Sequence, residues 1–250
     1  MSTPFDTATI VIPSGPDENP LSDGGNWVSV SGPPLKRVAG KIEVDASGTY
    51  GEMRWTPDVF ADGSIAWVFR DNPALNHMIV IRARAAADLT SYVLFQFNPA
   101  GPNVYIATFA GGTTTTVAIS STVPGLTVGD RLGAAFEADQ LSFWHQACAS
   151  VGVPAAITDN WTEMVSGTST AVLDPGYTTL GLGALECSVD SEAMGVVVPG
   201  GGGGDGSTGK GRYSKILFGD GMSVVDEGEG VIRVSAGGGG GGGGFDWADV

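Results

Sequence analysis

The chain has 250 residues, 12 Lys and Arg against 27 Asp and Glu, a net charge of −15 and 40 glycines. That acid surplus repels phosphates and excludes nucleic acid as the main partner, while a 42% hydrophobic and 16% charged composition excludes a largely disordered chain. No run approaches the roughly 18 to 20 apolar residues that cross a bilayer, and Met1 to Leu35 holds no Lys or Arg, so neither membrane insertion nor a signal peptide is expected.

From Ile10 to Val198 the texture is β. Apolar and polar residues alternate in Met78 to Arg84, Tyr92 to Phe97, Val104 to Phe109, Thr115 to Ile119 and Leu141 to Trp144, each strand-length and rich in β-branched or aromatic residues. Turn signals separate them: Pro99 to Asn103, Gly111-Gly112, Pro124-Gly125, Gly129-Asp130 and Ala138-Asp139. No dozen-residue window holds a helical period; Asp71 to Met78 and Ala83 to Leu89 have room for one turn each. Short strands at this spacing predict an all-β antiparallel sandwich over residues 1–199, with Trp27, Trp55 and Trp67 in its core.

The composition then changes. Twenty glycines lie at or before Gly195 and the other twenty between Gly200 and Gly244. Residues 200–209 read as a glycine-rich linker. Residues 210–236 read as a small β-hairpin module, with strands at Tyr213 to Phe218 and Val231 to Ser235. A lone hairpin is marginal in water, so self-assembly through Ile216, Phe218, Val224, Val231 and Val234 is expected, into a trimer. Residues 237–250 are an octaglycine tether and a terminal peptide whose Phe245 and Trp247 suit docking, a disordered end being the plainer alternative.

Four segments carry a resemblance. Leu21-Ser22-Asp23-Gly24-Gly25-Asn26-Trp27, the strand at Lys41 to Val44, Tyr50-Gly51-Glu52-Met53-Arg54-Trp55 and Thr178-Thr179-Leu180-Gly181-Leu182-Gly183-Ala184 resemble the concanavalin A-like lectin/glucanase (laminin G-like) jelly roll over roughly Pro4 to Pro199. The order Ile216 to Val224, then Gly230 to Val234, between glycine tracts resembles the C-terminal modules of bacteriophage minor tail proteins. Together the resemblances imply a virion component, in a tail tip or fibre, whose partners are itself, other tail proteins and host cell-wall glycan. In one place the chain departs from the jelly-roll pattern: His145 to Pro154, followed by Trp161 to Met164, replaces the family's short hairpin with its Asn-Gly turn.

Sugars are held by aromatic rings stacked on the pyranose face and by polar groups bonding its hydroxyls. If Leu141 and Phe143 face the core, alternation turns Trp144 outward beside Ser142 and Gln146, and Arg82, Arg84 and Gln96 share the polar face of their strands. Trp144, Gln146, Arg82, Arg84 and Gln96 are therefore the carbohydrate-binding candidates, with packing of Trp144 on a neighbouring loop or subunit as the alternative. The local surplus of acid from Leu132 to Gly209, nine acids and no Lys or Arg, favours a neutral or cationic ligand there.

No catalytic residue is assigned. The retaining-glycanase pattern Glu-x-Asp-x-x-Glu begins at Glu43-Val44-Asp45 and fails at Gly48, with Glu52 four residues late. The only histidines are His77 and His145, and a Cys148–His145 pair three residues apart lacks the usual separate-segment origin. Cys148 and Cys187 are expected as two thiols, one bridge between them being the alternative. No cofactor is required; calcium is the one for which oxygen ligands are at hand, in Asp17, Glu18, Asn19 and Asp23 or in Asp58 and Asp62, acids that surface solubility also explains. A purely architectural fibre or decoration protein and a glycan hydrolase with an altered acid pair are the second and third readings.

Overall fold

The computed structural model describes residues 5, 9–45, 49–70, 78–98, 103–122, 124–154, 161–183, 187–196, 222–228 and 231–236, and the chain divides into two units, Met1–Gly202 and Gly203–Val250. In chain order the strands are β1 (Thr9–Ile12), β2 (Trp27–Ser31), β3 (Leu35–Val38), β4 (Lys41–Val44), β5 (Gly51–Phe60), β6 (Gly63–Phe69), β7 (Met78–Ala85), β8 (Ser91–Asn98), β9 (Asn103–Ala110) and β10 (Thr113–Ser120). They continue with β11 (Arg131–Glu137), β12 (Gln140–Gln146), β13 (Trp161–Thr168), β14 (Gly176–Gly183), β15 (Ser188–Val196), β16 (Met222–Gly228) and β17 (Val231–Ala236). Among the described residues there is no helix, and so none long and apolar enough to cross a membrane.

Fifteen strands form two antiparallel sheets in the first unit. One has eight strands in the order β13-β12-β11-β6-β15-β4-β3, with β1 also on β15; the other has seven, β10-β9-β8-β7-β14-β5-β2. Each strand expected within residues 1–199 falls inside an observed one, and the described residues of this unit form an all-β sandwich. Ala83 to Leu89 is the end of β7 and a turn, while Asp71 to His77 lies outside the described residues. The unusual stretch after Trp144 is now placed: β12 runs on to Gln146, residues 147–154 form a turn with a Ser150–Val153 bridge, and β13 pairs back on β12.

The pleat explains the core. Ile79, Ile81 and Ala83 of β7 and Val93, Phe95 and Phe97 of β8 alternate inward and are buried, facing Leu132, Ala134 and Phe136 of β11 and Leu141 and Phe143 of β12 in one apolar cluster. Trp27, Trp55 and Trp67 are also buried there; the Trp27 ring lies 5.4 Å from Trp55 and 6.3 Å from Trp67, centroid to centroid. Each aromatic side chain removed from water is worth about 1.5–3 kcal/mol.

In the second unit β16 pairs antiparallel with β17, Val224 opposite Val234 and Gly228 opposite Val231. β17 contains the expected strand Val231 to Ser235, β16 lies in the stretch between the two expected strands, and Tyr213 to Phe218 lies outside the described residues. Ile216, Phe218, Phe245 and Trp247 lie outside the described residues.

Phe95 and Phe143 meet across the sandwich with centroids 5.9 Å apart at 60°. Phe95→Ala and Phe143→Ala should each lower unfolding free energy in urea by about 3–5 kcal/mol, and the double variant should lose less than the sum by about 0.5–1.5 kcal/mol. Strict additivity would deny the contact.

Candidate functional site

Two outer faces, one on each sheet, carry the residues suited to binding. On the seven-stranded sheet, cross-strand pairing lines up Glu52, Gly181, Val80, Gln96 and Tyr105 in one row. Arg54, Thr179, Arg82, Leu94 and Ala107 form the next row. Both rows point away from the core because Met53, Ile79, Ile81, Phe95 and Ile106, one residue off in the pleat, point into it.

Glu52 is fully buried on this face. Its carboxylate accepts hydrogen bonds from Tyr50 Oη (2.6 Å) and Thr179 Oγ1 and pairs with Arg82. The Tyr50 ring can lie over the sheet only because Gly181 has no side chain: a Cβ there would collide with the phenol. Burial, reinforced by the Glu52 charge, pushes the Tyr50 phenol well above its ordinary value. For Arg82 burial pulls downward, but Glu52 outweighs it and the guanidinium stays above its usual range. Arg82 also lies 4.6 Å from the centre of the Tyr92 ring, which stacks on Phe109 at 5.1 Å. Tyr105 Oη donates to Gln96 Oε1 (2.8 Å), leaving the Gln96 amide nitrogen as a donor. Arg54 lies 4.8 Å from the centre of the Tyr177 ring. These side chains are half-buried, apart from Glu52 and Thr179, which are buried.

Arg82 and Gln96 thus lie on one face, in neighbouring rows. Arg84 does not. Its φ of 50° breaks the alternation of β7, and the buried guanidinium donates to Asp62 Oδ1 (3.0 Å) and to the Val172 (3.0 Å) and Ala61 carbonyls, 5.5 Å from the Phe136 ring centre. It ties loops at one end of the sandwich. Alternation alone missed Tyr50, Glu52, Arg54, Tyr92 and Tyr177 as members of one face, because only the pairing of β5, β7, β8 and β14 assembles them.

Trp144 and Gln146 lie on the outer face of the other sheet. Trp144 is half-buried, its Nε1 donating to Ser142 Oγ (2.7 Å), and Gln146 is fully buried, accepting from Arg131 (3.2 Å). Phe5 covers this face: it stacks on Trp161 at 4.0 Å and meets Trp144 edge-on at 6.4 Å. It rests where Gly133 leaves room, since a Cβ at Gly133 would strike the Phe5 ring.

The acids considered for calcium already have protein partners. Glu18 accepts from the Ser22 and Asp23 amides, both at 2.7 Å; Asp23 is held by both terminal nitrogens of Arg37 at 2.6 and 2.7 Å; Asp17 accepts from the Ala39 amide. Asn19 donates to Asp45, and Asp62 accepts from Arg84 and the Ala138 amide. A cation would have to displace a guanidinium and several amides, so these residues do not fit a calcium site; among the described residues no group of three or more His, Cys, Asp or Glu is placed to hold a metal ion. The acids considered for hydrolysis are divided between the sheets. Glu43 lies outward on β4 and Asp45 just beyond its end, both ion-paired with Lys36 (3.3 and 3.6 Å), and Glu52 lies on the opposite sheet.

Asp130, His145 and Cys148 do meet. Asp130 is buried and accepts from the Thr127 amide (2.9 Å) and the Cys148 amide (2.8 Å), with His145 Nε2 at 2.9 Å. Burial raises the Asp130 carboxyl, but these hydrogen bonds outweigh it and hold it below the ordinary range. Burial and the Asp130 charge push the Cys148 thiol up, the reverse of what a nucleophile needs. Cys148 and Cys187 are not joined by a disulfide.

No family model and no curated protein matches the chain. Among solved structures it is similar to the exoplasmic/lumenal domain of VIP36 in its Ca2+-bound form, at 10% identity over 70% of this chain and 84% of that one, with a TM-score of 0.51. The Ca2+/Man3GlcNAc-bound form matches at 10% identity over 70% and 85%, with a TM-score of 0.50. A carbohydrate-binding module, CBM66, from Bacillus subtilis aligns at 12% identity over 68% of this chain and 94% of that one, with a TM-score of 0.48. The likeness to the VIP36 domain establishes the fold alone: a concanavalin A-like jelly-roll sandwich.

Because Asp130 titrates below its ordinary range when folded, it contributes stability above about pH 4 that is lost as pH falls through the folded value. The thermal midpoint of the parent chain should drop on acidification, and Asp130→Asn should show a lower midpoint at pH 6 and a shallower decline between pH 5 and 2. Parallel curves would contradict this account of the Asp130 hydrogen bonds.

Proposed function

We propose that the chain is a bacteriophage virion component, a minor tail or tail-fibre protein, whose jelly-roll domain holds host cell-surface carbohydrate on the outer face of its seven-stranded sheet. The observation that carries the binding part is the half-buried array of Tyr92 stacked on Phe109, with Arg82 against it and the Gln96 amide alongside. Aromatic rings beside fixed polar donors are what a pyranose requires. Man3GlcNAc in the bound form of VIP36 is in keeping with a lectin-like use of this sandwich. The virion part rests on the sequence, in which a hairpin module stands between glycine tracts. No hydrolytic step is proposed, since Glu43 and Glu52 lie on opposite sheets.

Trp144 and Gln146 mark a separate face, and the packing of Phe5 on Trp144 favours the second reading, an architectural protein in which that face serves assembly. Binding of the full chain to bacterial cell-wall fragments separates the cases. Tyr92→Ala should weaken binding at least about tenfold, in line with about 1.4 kcal/mol for a lost stacking contact, while Trp144→Ala leaves it within twofold. The opposite pattern would move the sugar to the Trp144 face; no binding by the parent chain would leave the architectural reading.

The homotrimer is proposed to form through residues 210–236, because two strands bury too little to stand alone. Replacing the cross-strand partners Val224 and Val234 by Asp should convert a trimer to a monomer in light scattering. A parent chain that is itself monomeric would end this part of the proposal.

A further inference from the structure

Four of the six arginines in residues 1–199 pair with carboxylates. Arg37 pairs with Asp23, Arg70 with Asp190, Arg82 with Glu52 and Arg84 with Asp62, while Arg131 donates to Gln146. Arg54 has no carboxylate among the described residues. Its guanidinium lies against the Tyr177 ring at 4.8 Å and one terminal nitrogen donates to the Ala87 carbonyl, so the group is held in place with no ion pair among the described residues. In a chain with 27 acids and 12 bases such a vacancy is not for want of carboxylates. Across β14, Thr179 separates Arg54 from Arg82, whose charge Glu52 already cancels. The two rows of this face therefore hold two guanidiniums against one carboxylate, a local positive excess on a strongly acidic protein. Both arginines also keep a buried Nε without a hydrogen-bond acceptor.

A guanidinium clamped on a ring is suited to one chemistry above others. Its planar fork matches a carboxylate, whereas a neutral sugar offers only hydroxyls. We propose that the glycan held on this face is acidic, and that the carboxylate of a uronic acid unit is received by Arg54 with Tyr177 behind it. This deepens the glycan reading and rests on it. The acid-rich stretch from Leu132 to Gly209 does not oppose it, because the residues it contributes to these two rows are Thr179 and Gly181.

The test uses the full chain and a panel of bacterial cell-wall polysaccharides, each in native form and after chemical reduction of its uronic carboxyls to alcohols. Affinity should fall at least tenfold on reduction. Arg54→Gln should lose a similar factor on the native polymers yet match the parent on the reduced ones, and Arg54→Lys, which keeps charge but not the fork, should recover only part. Equal affinity for native and reduced polymers overturns the proposal while leaving glycan binding intact. Loss that follows removal of phosphate rather than reduction of carboxyls also overturns it, assigning Arg54 to a phosphorylated polymer. No binding to any polymer in either form would remove the glycan reading itself. The comparison of the two polymer forms needs no variant, so an Arg54 replacement that unfolds, seen as a lowered thermal midpoint, does not spare the proposal.

Discussion

Burying the Glu52 carboxylate is the constraint around which the seven-stranded sheet's outer face is organised. An ionised carboxyl removed from water is tolerated only when paired and hydrogen-bonded, and deleting one partner of such a pair costs about 3–5 kcal/mol. Here the partners come from two strands and a loop: Arg82 from β7, Thr179 from β14 and Tyr50 from the approach to β5. Each requirement propagates. Tyr50 needs the bare backbone of Gly181, and Arg82, fixed by Glu52, in turn lies against Tyr92 and its stacked neighbour Phe109. A polar group that the hydrophobic effect would keep outside thus fixes where the rings lie.

The Gly181-Leu182-Gly183 segment illustrates how sequence and structure meet. As a motif it indicated only a jelly-roll strand; in the sheet its two roles separate by pleat, Leu182 fully buried in the core and the glycines beneath Tyr50. Strands with one wet face, such as β7 to β9, were legible because their residues alternate. β6 and β11 were not, since they are buried on both faces and lack alternation, lying between the core and the cover that Phe5 and Trp161 provide. Arg82 and Gln96 could be placed by period alone. Arg84 could not, because a positive φ at the strand end turns it away from that face, and nothing in local composition signals it. Glu52, Arg54 and Tyr177 belong to a face that exists only through pairing between segments far apart in the chain.

The cluster of Asp130, His145 and Cys148 has the residue types of a nucleophilic site without its electrostatics. The carboxylate is saturated by backbone amides and the thiol is pushed toward its neutral form, so the cluster closes the turn ahead of β11. Much the same holds near the N-terminus, where Asp17, Glu18 and Asp23 anchor a long loop by accepting from amides and from Arg37. In both places apparent ligand sets turn out to be the means by which irregular backbone keeps its polar groups bonded.

The two outer faces of the sandwich are not equivalent: Phe5 already covers part of one, whereas the aromatic array of the other is half-open. On the proposed reading, one such platform among the described residues is a single point of purchase for a glycan, and the residence time of such a contact is set by how fast it releases. Firm attachment would then be a matter of number rather than of fit, gained by presenting several platforms within reach of one polymer, where the local concentration of the second contact replaces affinity in the first.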